Sequence, residues 1–207
     1  MSDARTRILA RLKAASVVPV AQAFRPVEDA ALQGCATDQL LARFVSELTA
    51  LGVEHHVEHT ADAVRARVGE IVADQPVFRW DVDRLPYGVG DLLADAADGG
   101  SARDVQASAA IGVTGCDAAI AETGSLAMIT GRGKPRAASL LPPTHLAIVR
   151  TDQLLATMGE FFEERAAELA DAANFTFITG ASRTADIELT LTVGVHGPGR
   201  VVVIIGP

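Results

Sequence analysis

The apolar run at positions 201–205 constrains the fold more than any other feature of this sequence. It consists of Val-Val-Val-Ile-Ile, with Gly199 shortly before it and Gly206 directly after it. A strand whose side chains are all apolar is buried on both faces, as in a parallel sheet covered by helices. The sequence therefore predicts an α/β fold in which a sheet is flanked by helices.

The first half of the chain alternates helical and extended patterns, which favours a parallel layer of the same kind. We divide the chain into an N-terminal helix and connector, residues 1–36, and a single α/β domain, residues 37–207. The predicted elements of this half are a helix at 3–15, an extended connector at 17–26, a helix from Thr37 that ends at Gly52, a strand at 53–57, a helix opened by Thr60 and a strand at 77–80.

The second half contains short apolar runs between glycine-containing turns, which predict consecutive strands. Residues 185–193 fit a strand or a helix, and we favour a short helix capped by Ser182 or Thr184. The hexapeptide Thr-Asp-Gln-Leu-Leu-Ala occurs at 37–42 and at 151–156, and shared helix-capping chemistry explains it better than duplication. The predicted elements are a meander of strands at 109–113, 118–121 and 126–130, a strand at 146–149, a long helix from Thr151 or Asp152 with Leu154 and Leu155 on its core face, and a strand at 175–178.

Charge and cysteine content restrict the partners. The formal net charge of −8 excludes nucleic acid and anionic membrane surfaces, which are bound through clustered cations. Cys35 and Cys116 are too few for an iron–sulfur cluster, which needs about four ligands, and we expect no metal or cofactor on this chain. Because the sequence shows no apolar leader and no membrane-length apolar run, we expect a cytoplasmic protein.

Residues 179–186, Thr-Gly-Ala-Ser-Arg-Thr-Ala-Asp, are the densest group of candidate binding residues. Such a loop follows the carboxyl end of a strand, where α/β sheets bind ligands, and its N–H, hydroxyl and guanidinium groups suit an anion. The alternative is that Ser182 or Thr184 only caps a helix while Arg183 pairs with a nearby acid. The candidate ligand-binding residues are Gly180, Ser182, Arg183, Thr184 and Asp186.

Two further turns and two histidines carry polar groups. Glu122-Thr123-Gly124-Ser125 joins two apolar strands, and Glu122 is either an acid, base or nucleophile or a solvated turn residue. The loop 131–136, Gly-Arg-Gly-Lys-Pro-Arg, is either a phosphate clamp or an exposed connection. His145 and His196 are candidate general bases or caps for buried backbone groups.

Four segments occur in an order that resembles the LUD-domain family, and within it the branch called lactate utilization protein C. The resemblance is specific over about 111–207. The segments are Gly-Val-Thr-Gly-Cys-Asp-Ala-Ala-Ile-Ala-Glu-Thr-Gly-Ser at 112–125, Ala-Ser-Leu-Leu-Pro-Pro-Thr-His at 138–145, Ile-Thr-Gly-Ala-Ser-Arg-Thr-Ala-Asp-Ile-Glu at 178–188 and Gly-Val-His-Gly-Pro at 194–198.

The resemblance implies a fold similar to that of the sugar-phosphate isomerase and CoA-transferase superfamily. CoA transferases place a catalytic glutamate before a glycine turn, which implies a catalytic position for Glu122. We hypothesise that one pocket at the carboxyl edge of the sheet accepts an anionic ligand. Its expected members are the 122–125 turn, His145, Ser182, Arg183, Asp186 and His196.

The resemblance also implies a role as accessory subunit of a system that oxidises L-lactate to pyruvate, with iron–sulfur clusters on partner proteins. One alternative is a stand-alone isomerase-like or CoA-transferase-like enzyme that binds a phosphate or acyl-CoA anion. Another is an assembly scaffold whose pocket is vestigial. The sequence leaves open whether the chain is itself catalytic and whether it forms a homo-oligomer.

Overall fold

The computed structural model describes residues 2–14, 34–184 and 192–207. The helices are α1 (Ser2–Ala14), α2 (Thr37–Ala50), α3 (Ala61–Val72), α4 (Val89–Leu92), α5 (Arg103–Ala107), α6 (Met158–Glu164) and α7 (Ala166–Asp171). The strands are β1 (Glu54–Val57), β2 (Val77–Arg79), β3 (Ile111–Thr114), β4 (Ala118–Ile120), β5 (Ser125–Ile129), β6 (Thr144–Arg150), β7 (Leu154–Leu155), β8 (Phe175–Ile178), β9 (Arg183–Thr184), β10 (Thr192–Val193) and β11 (Arg200–Gly206).

Five parallel strands form the central sheet, in the order β1-β11-β6-β3-β2. Strand β11 lies between two neighbours, and all five residues of its apolar run are buried. Val202 and Ile204 pack on the face covered by α3, whereas Val203 and Ile205 pack on the face covered by α2. Burial of each such side chain stabilises the folded chain by about 1.5–3 kcal/mol relative to leaving it exposed. Because β11 buries side chains on both faces, it packs against both layers. The predicted doubly buried strand and the α/β class are confirmed.

The two predicted helices that cover this sheet are also confirmed. Helix α2 buries Phe44 and Leu48, and it is followed by Gly52 with φ of 70°. Helix α3 begins after Thr60, whose hydroxyl accepts a hydrogen bond from the Ala63 N–H at 3.1 Å. An N-cap hydroxyl satisfies one of the backbone donors that a helix start leaves free, which explains where this helix begins.

A second sheet of four strands lies on the α2 side, in the order β7-β4-β5-β8. Strands β4 and β5 are buried on both faces: Ala119 and Leu126 pack toward the central sheet, while Ile120 and Ala127 pack on Phe161 of α6. Strand β5 pairs antiparallel with both β4 and β8. This pairing brings the β4–β5 turn and the loop after β8 to the same end of the sheet.

The predicted three-stranded meander is wrong. Strands β4 and β5 form a hairpin, but β3 pairs in parallel with β2 and β6 in the other sheet. Gly112 in β3 fits closely against the turn at 136–139, since a Cβ atom there would lie 1.7 Å from the Ala138 carbonyl oxygen. The local apolar pattern of β3 is the same for either partner, and long-range packing selects the parallel sheet.

The predicted long helix from Thr151 or Asp152 is wrong in its first turns. Thr151–Gln153 forms a single 3-10 turn, Leu154 and Leu155 form β7, and helix α6 begins after Thr157. The repeated hexapeptide is therefore helical in its first copy and is a turn followed by a strand in its second. Shared helix capping does not explain the repeat.

Short strands lie at both ends of the segment 185–193, for which we favoured a helix. Arg183–Thr184 and Thr192–Val193 pair as antiparallel strands, so Ser182 and Thr184 do not cap a helix there. Residues 185–191, including Asp186, lie outside the described residues, as does the predicted connector at 17–26.

Candidate functional site

The 122–125 turn and the 179–183 loop meet at the C-terminal end of α2. Gly124 lies so close to α2 that a Cβ atom would come within 2.9 Å of the Glu47 Cβ and 3.1 Å of the Leu51 Cδ1. Gly180 also faces Leu51, since its Cβ would lie 3.8 Å from the Leu51 Cβ. Both glycines have positive φ values, 66° and 81°, which other L-residues adopt only with strain. The close approach of both segments to α2 therefore depends on glycine.

Arg183 joins this cluster through the backbone of α2. Its Nη2 donates a hydrogen bond of 2.6 Å to the carbonyl oxygen of Leu51, the C-cap residue of the helix. A cation at this position interacts favourably with the free carbonyls and the negative end of the helix dipole. The side chain is exposed, so its guanidinium sits at the surface in a position set by α2.

Three hydroxyl groups connect the turn to the loop. Thr123 Oγ1 donates to Ser125 Oγ at 2.8 Å, and Ser125 Oγ lies 2.6 Å from Thr179 Oγ1. Ser125 is fully buried, whereas Thr179 is exposed at the end of β8. An exposed hydroxyl such as that of Thr179 is a suitable donor to a carboxylate or phosphate oxygen. Thr179 belongs to the predicted 179–186 group, and its position directly after β8 places it at the edge of the sheet where ligands bind.

Ser182 holds the 194–198 loop against the same cluster. Its N–H donates to the Pro198 carbonyl at 2.9 Å, and its carbonyl accepts from the Gly194 N–H at 2.9 Å. His196 in that loop is exposed and lines an open depression together with Pro143. Thr184, the next candidate, pairs with Thr192 in the two-stranded hairpin.

The carboxylate of Glu122 has a structural partner. Its Oε1 accepts a hydrogen bond of 2.8 Å from the Met158 N–H, the first residue of α6. An acidic group at a helix N-terminus is stabilised by the free N–H groups and the helix dipole. Glu122 therefore caps α6 from the β4–β5 turn, and its catalytic role stays a prediction.

His145 does not join the exposed cluster. Its side chain is fully buried in β6, where its Nε2 lies 2.8 Å from the Thr114 Oγ1 of β3. Burial lowers the pKa of this imidazole from 6.5 to about 4, so the ring is neutral at physiological pH. A buried ring next to a single hydroxyl does not reach the surface cluster, and the expected convergence on one pocket is wrong for this residue.

The cysteines do not form a metal site in this geometry. The Cys116 thiol is buried and donates to Gln153 Oε1 at 3.6 Å, and burial raises its pKa, which favours the thiol over the metal-binding thiolate. Over residues 2–14, 34–184 and 192–207, no group of three or more His, Cys, Asp or Glu side chains is placed to hold a metal ion. No helix in these ranges has the length and apolar character of a membrane span.

Comparisons with known proteins identify the fold and the family of this chain. A solved structure of a DUF162 family protein from Deinococcus radiodurans superposes with a TM-score of 0.67 at 22% identity, covering 84% of this chain and 99% of that chain, which shows a common fold. Lactate utilization protein C from Macrococcus caseolyticus is 32% identical over 84% of this chain and 80% of its own length. The protein of the same name from a Geobacillus species is 31% identical over the same shares. The LUD domain model matches residues 41–205, and the chain therefore belongs to the LUD-domain family.

Proposed function

We propose that this protein is an accessory subunit of a lactate utilization system, in which iron–sulfur partner proteins oxidise L-lactate to pyruvate. One observation carries the proposal: relatives named lactate utilization protein C align with most of this chain at 31–32% identity. The alignments span 80% of those relatives, so the likeness extends over most of their length.

The cysteine content supports the placement of the redox centres on partner proteins. The chain has two cysteines, fewer than the roughly four ligands of an iron–sulfur cluster. Cys116 is committed to a buried contact with Gln153, so it does not supply a thiolate. Electron transfer in this proposal therefore takes place on the partners, and this chain contributes binding or assembly.

The surface cluster at the end of α2 is the part of the chain proposed to bind an anion. Arg183 supplies the positive charge, and the exposed hydroxyl of Thr179 supplies a further donor. L-Lactate, pyruvate and phosphorylated or acyl-CoA compounds all present the oxygen atoms that such donors recognise. Gly124 and Gly180 let both segments approach α2 and so fix the spacing of these donors.

Growth of a deletion strain tests the proposed role. A strain without this gene is expected to fail on L-lactate as sole carbon source and to grow normally on pyruvate, because only the oxidation step is lost. The intact gene supplied on a plasmid restores growth on L-lactate. Normal growth of the deletion strain on L-lactate would overturn the proposal.

Two arginine variants separate the binding role from a purely structural one. Arg183→Ala removes the guanidinium from the cluster. Arg67→Ala removes a half-buried arginine of α3 that pairs with Glu58 and Glu70 on the opposite side of the central sheet. Complementation is expected to fail with Arg183→Ala and to succeed with Arg67→Ala at equal protein levels. Full complementation by both variants would show that the cluster does not bind the ligand.

Co-purification separates an accessory subunit from a stand-alone enzyme. The tagged chain, expressed with its genomic neighbours, is expected to retain proteins that contain iron and to be needed for L-lactate turnover by the mixture. A chain that purifies alone and is stabilised by an acyl-CoA or a sugar phosphate in a thermal-shift assay would support the enzyme alternative instead.

A further inference from the structure

A small cavity separate from the α2 cluster lies between the end of β2 and the edge of the second sheet. Its polar and aromatic lining residues are Trp80, Thr130, Lys134, Arg136, Ser139 and Thr176, and two apolar residues of β5 complete it. The enclosed part is about the size of one water molecule, so one ligand oxygen enters while the rest of the ligand remains at the mouth.

The indole N–H of Trp80 is a buried donor without an acceptor. The residue is 2% exposed, and its Nε1 has no hydrogen-bond partner within the described part of the chain. Buried polar groups are nearly always paired, with protein, water or ligand, so this N–H requires an acceptor that the described residues do not provide. Because the indole can only donate, the missing partner must offer a lone pair.

The charges around the cavity favour an anion. Lys134 forms an ion pair with Asp117, whose second oxygen accepts the Ile129 N–H at 2.6 Å, and this pair is neutral overall. Arg136 is exposed at the mouth of the cavity, and its guanidinium forms no ion pair with any described residue, which leaves one positive charge there. The Ser139 hydroxyl donates to the Arg136 carbonyl at 3.0 Å.

The basic loop that carries these cations is held in place by its backbone. The Asp81 N–H donates to the Gly133 carbonyl at 2.9 Å, which joins the loop to the residue after Trp80. The Lys134 N–H donates to the Gly131 carbonyl at 3.0 Å, and Gly133 has φ of 76°, a conformation suited to glycine. The loop is thus positioned against the tryptophan before any ligand binds.

We propose that this cavity binds a small oxyanion, a carboxylate or phosphate group, whose oxygen accepts the Trp80 indole N–H beside the Arg136 guanidinium. Lys134 lies over the indole ring, 5.6 Å from its centroid, and holds the ring by a cation–π contact. The ligand contacts the chain through one buried donor and one planar guanidinium, an arrangement that matches the two oxygens of a carboxylate or phosphate.

The single tryptophan of the chain makes the test direct. Trp80 gives one indole ¹H–¹⁵N resonance, which is followed while acetate, L-lactate or inorganic phosphate is added at constant ionic strength. A bound oxygen that accepts this N–H is expected to move the resonance downfield along a saturating curve. The three salts identify which oxyanion the site accepts.

Two arginines of the same loop supply matched variants. Arg136→Gln removes the cavity cation and is expected to weaken the apparent affinity about tenfold or more. Arg132→Gln removes an exposed neighbouring arginine that does not line the cavity, and is expected to leave the affinity unchanged. Trp80→Phe keeps an aromatic ring but removes the donor, and calorimetry with the best anion is expected to show weaker binding.

Three results would overturn the proposal. The first is the absence of a saturating shift with all three salts. The second is an equal response of Arg136→Gln and Arg132→Gln, which would assign the shift to general salt effects. The third is a crystal structure, grown with the anion, in which a water molecule alone occupies the position next to Nε1.

Discussion

Acidification is expected to destabilise this protein through His145. The buried ring has a pKa near 4 in the folded chain, against 6.5 for the exposed group, because burial disfavours its charged form. Between these two values the unfolded chain binds a proton that the folded chain does not. The free energy of unfolding therefore falls as the pH falls through this window, by about 1 kcal/mol at pH 5.5 and about 3 kcal/mol by pH 4.

Urea unfolding of the protein and of His145→Gln isolates this effect. Acidic groups titrate equally in both proteins, so the difference between their unfolding free energies reports on His145. That difference is expected to shift in favour of the variant by about 2–3 kcal/mol between pH 7.5 and pH 4.5. His59→Gln, which removes an exposed histidine, is the control for the loss of an imidazole outside the core.

A constant difference between the protein and His145→Gln across this range would refute the reasoning. It would mean that the imidazole finds a partner for its second nitrogen, Nδ1, which has none among the described residues. Direct titration of the imidazole resonances by NMR would then show a midpoint near that of a free histidine. The same titration is expected to show no protonation of His145 above about pH 5.

Three further substitutions test the packing. Gly112→Ala places a Cβ atom 1.7 Å from a backbone oxygen and is expected to lower the unfolding free energy by more than about 2 kcal/mol, whereas Gly131→Ala, with no atom within 4 Å, is expected to be neutral. Arg79→Met leaves three backbone carbonyls without their guanidinium donor and should cost about 2–4 kcal/mol in urea unfolding, with Arg79→Lys recovering only part of this. Glu122→Gln keeps an acceptor for α6 but loses the charge, so it should cost about 0.5 kcal/mol in the same assay.

The elements predicted correctly are those whose own residue pattern indicates which faces are buried. An unbroken apolar run such as 201–205 has to be covered on both faces, and the apolar stripe of α2 has to face a sheet. Strand β3 lacks such a signal for its partner. Its residues fit the hairpin and the parallel sheet equally well, and the choice depends on contacts with β6, about thirty residues later.

For the candidate site, the sequence predicted which segments meet but not where their side chains point. The sequence placed polar groups in the 122–125 turn and the 179–183 loop, and the pairing of Leu126 with Ile178 brings these segments together. It did not give the direction of individual side chains. Glu122 turns toward α6 and His145 turns into the core, because the register of β4 and β6 determines which face each residue occupies. Arg79, a buried cation paired with carbonyls, had no sequence signal at all.

The repeated hexapeptide shows which contacts decide such cases. In its first copy the helix continues to Phe44 and Leu48, whose burial stabilises the helical conformation. In its second copy Gln153 is fixed instead, since its Nε2 donates to the Cys116 carbonyl at 2.6 Å and its Oε1 accepts from the Arg150 N–H at 2.9 Å. The following two leucines then pair with β4. Helix propensities differ by only about 0.7 kcal/mol per residue among ordinary residues, less than the strand pairing and burial that compete with them, so six identical residues adopt two structures.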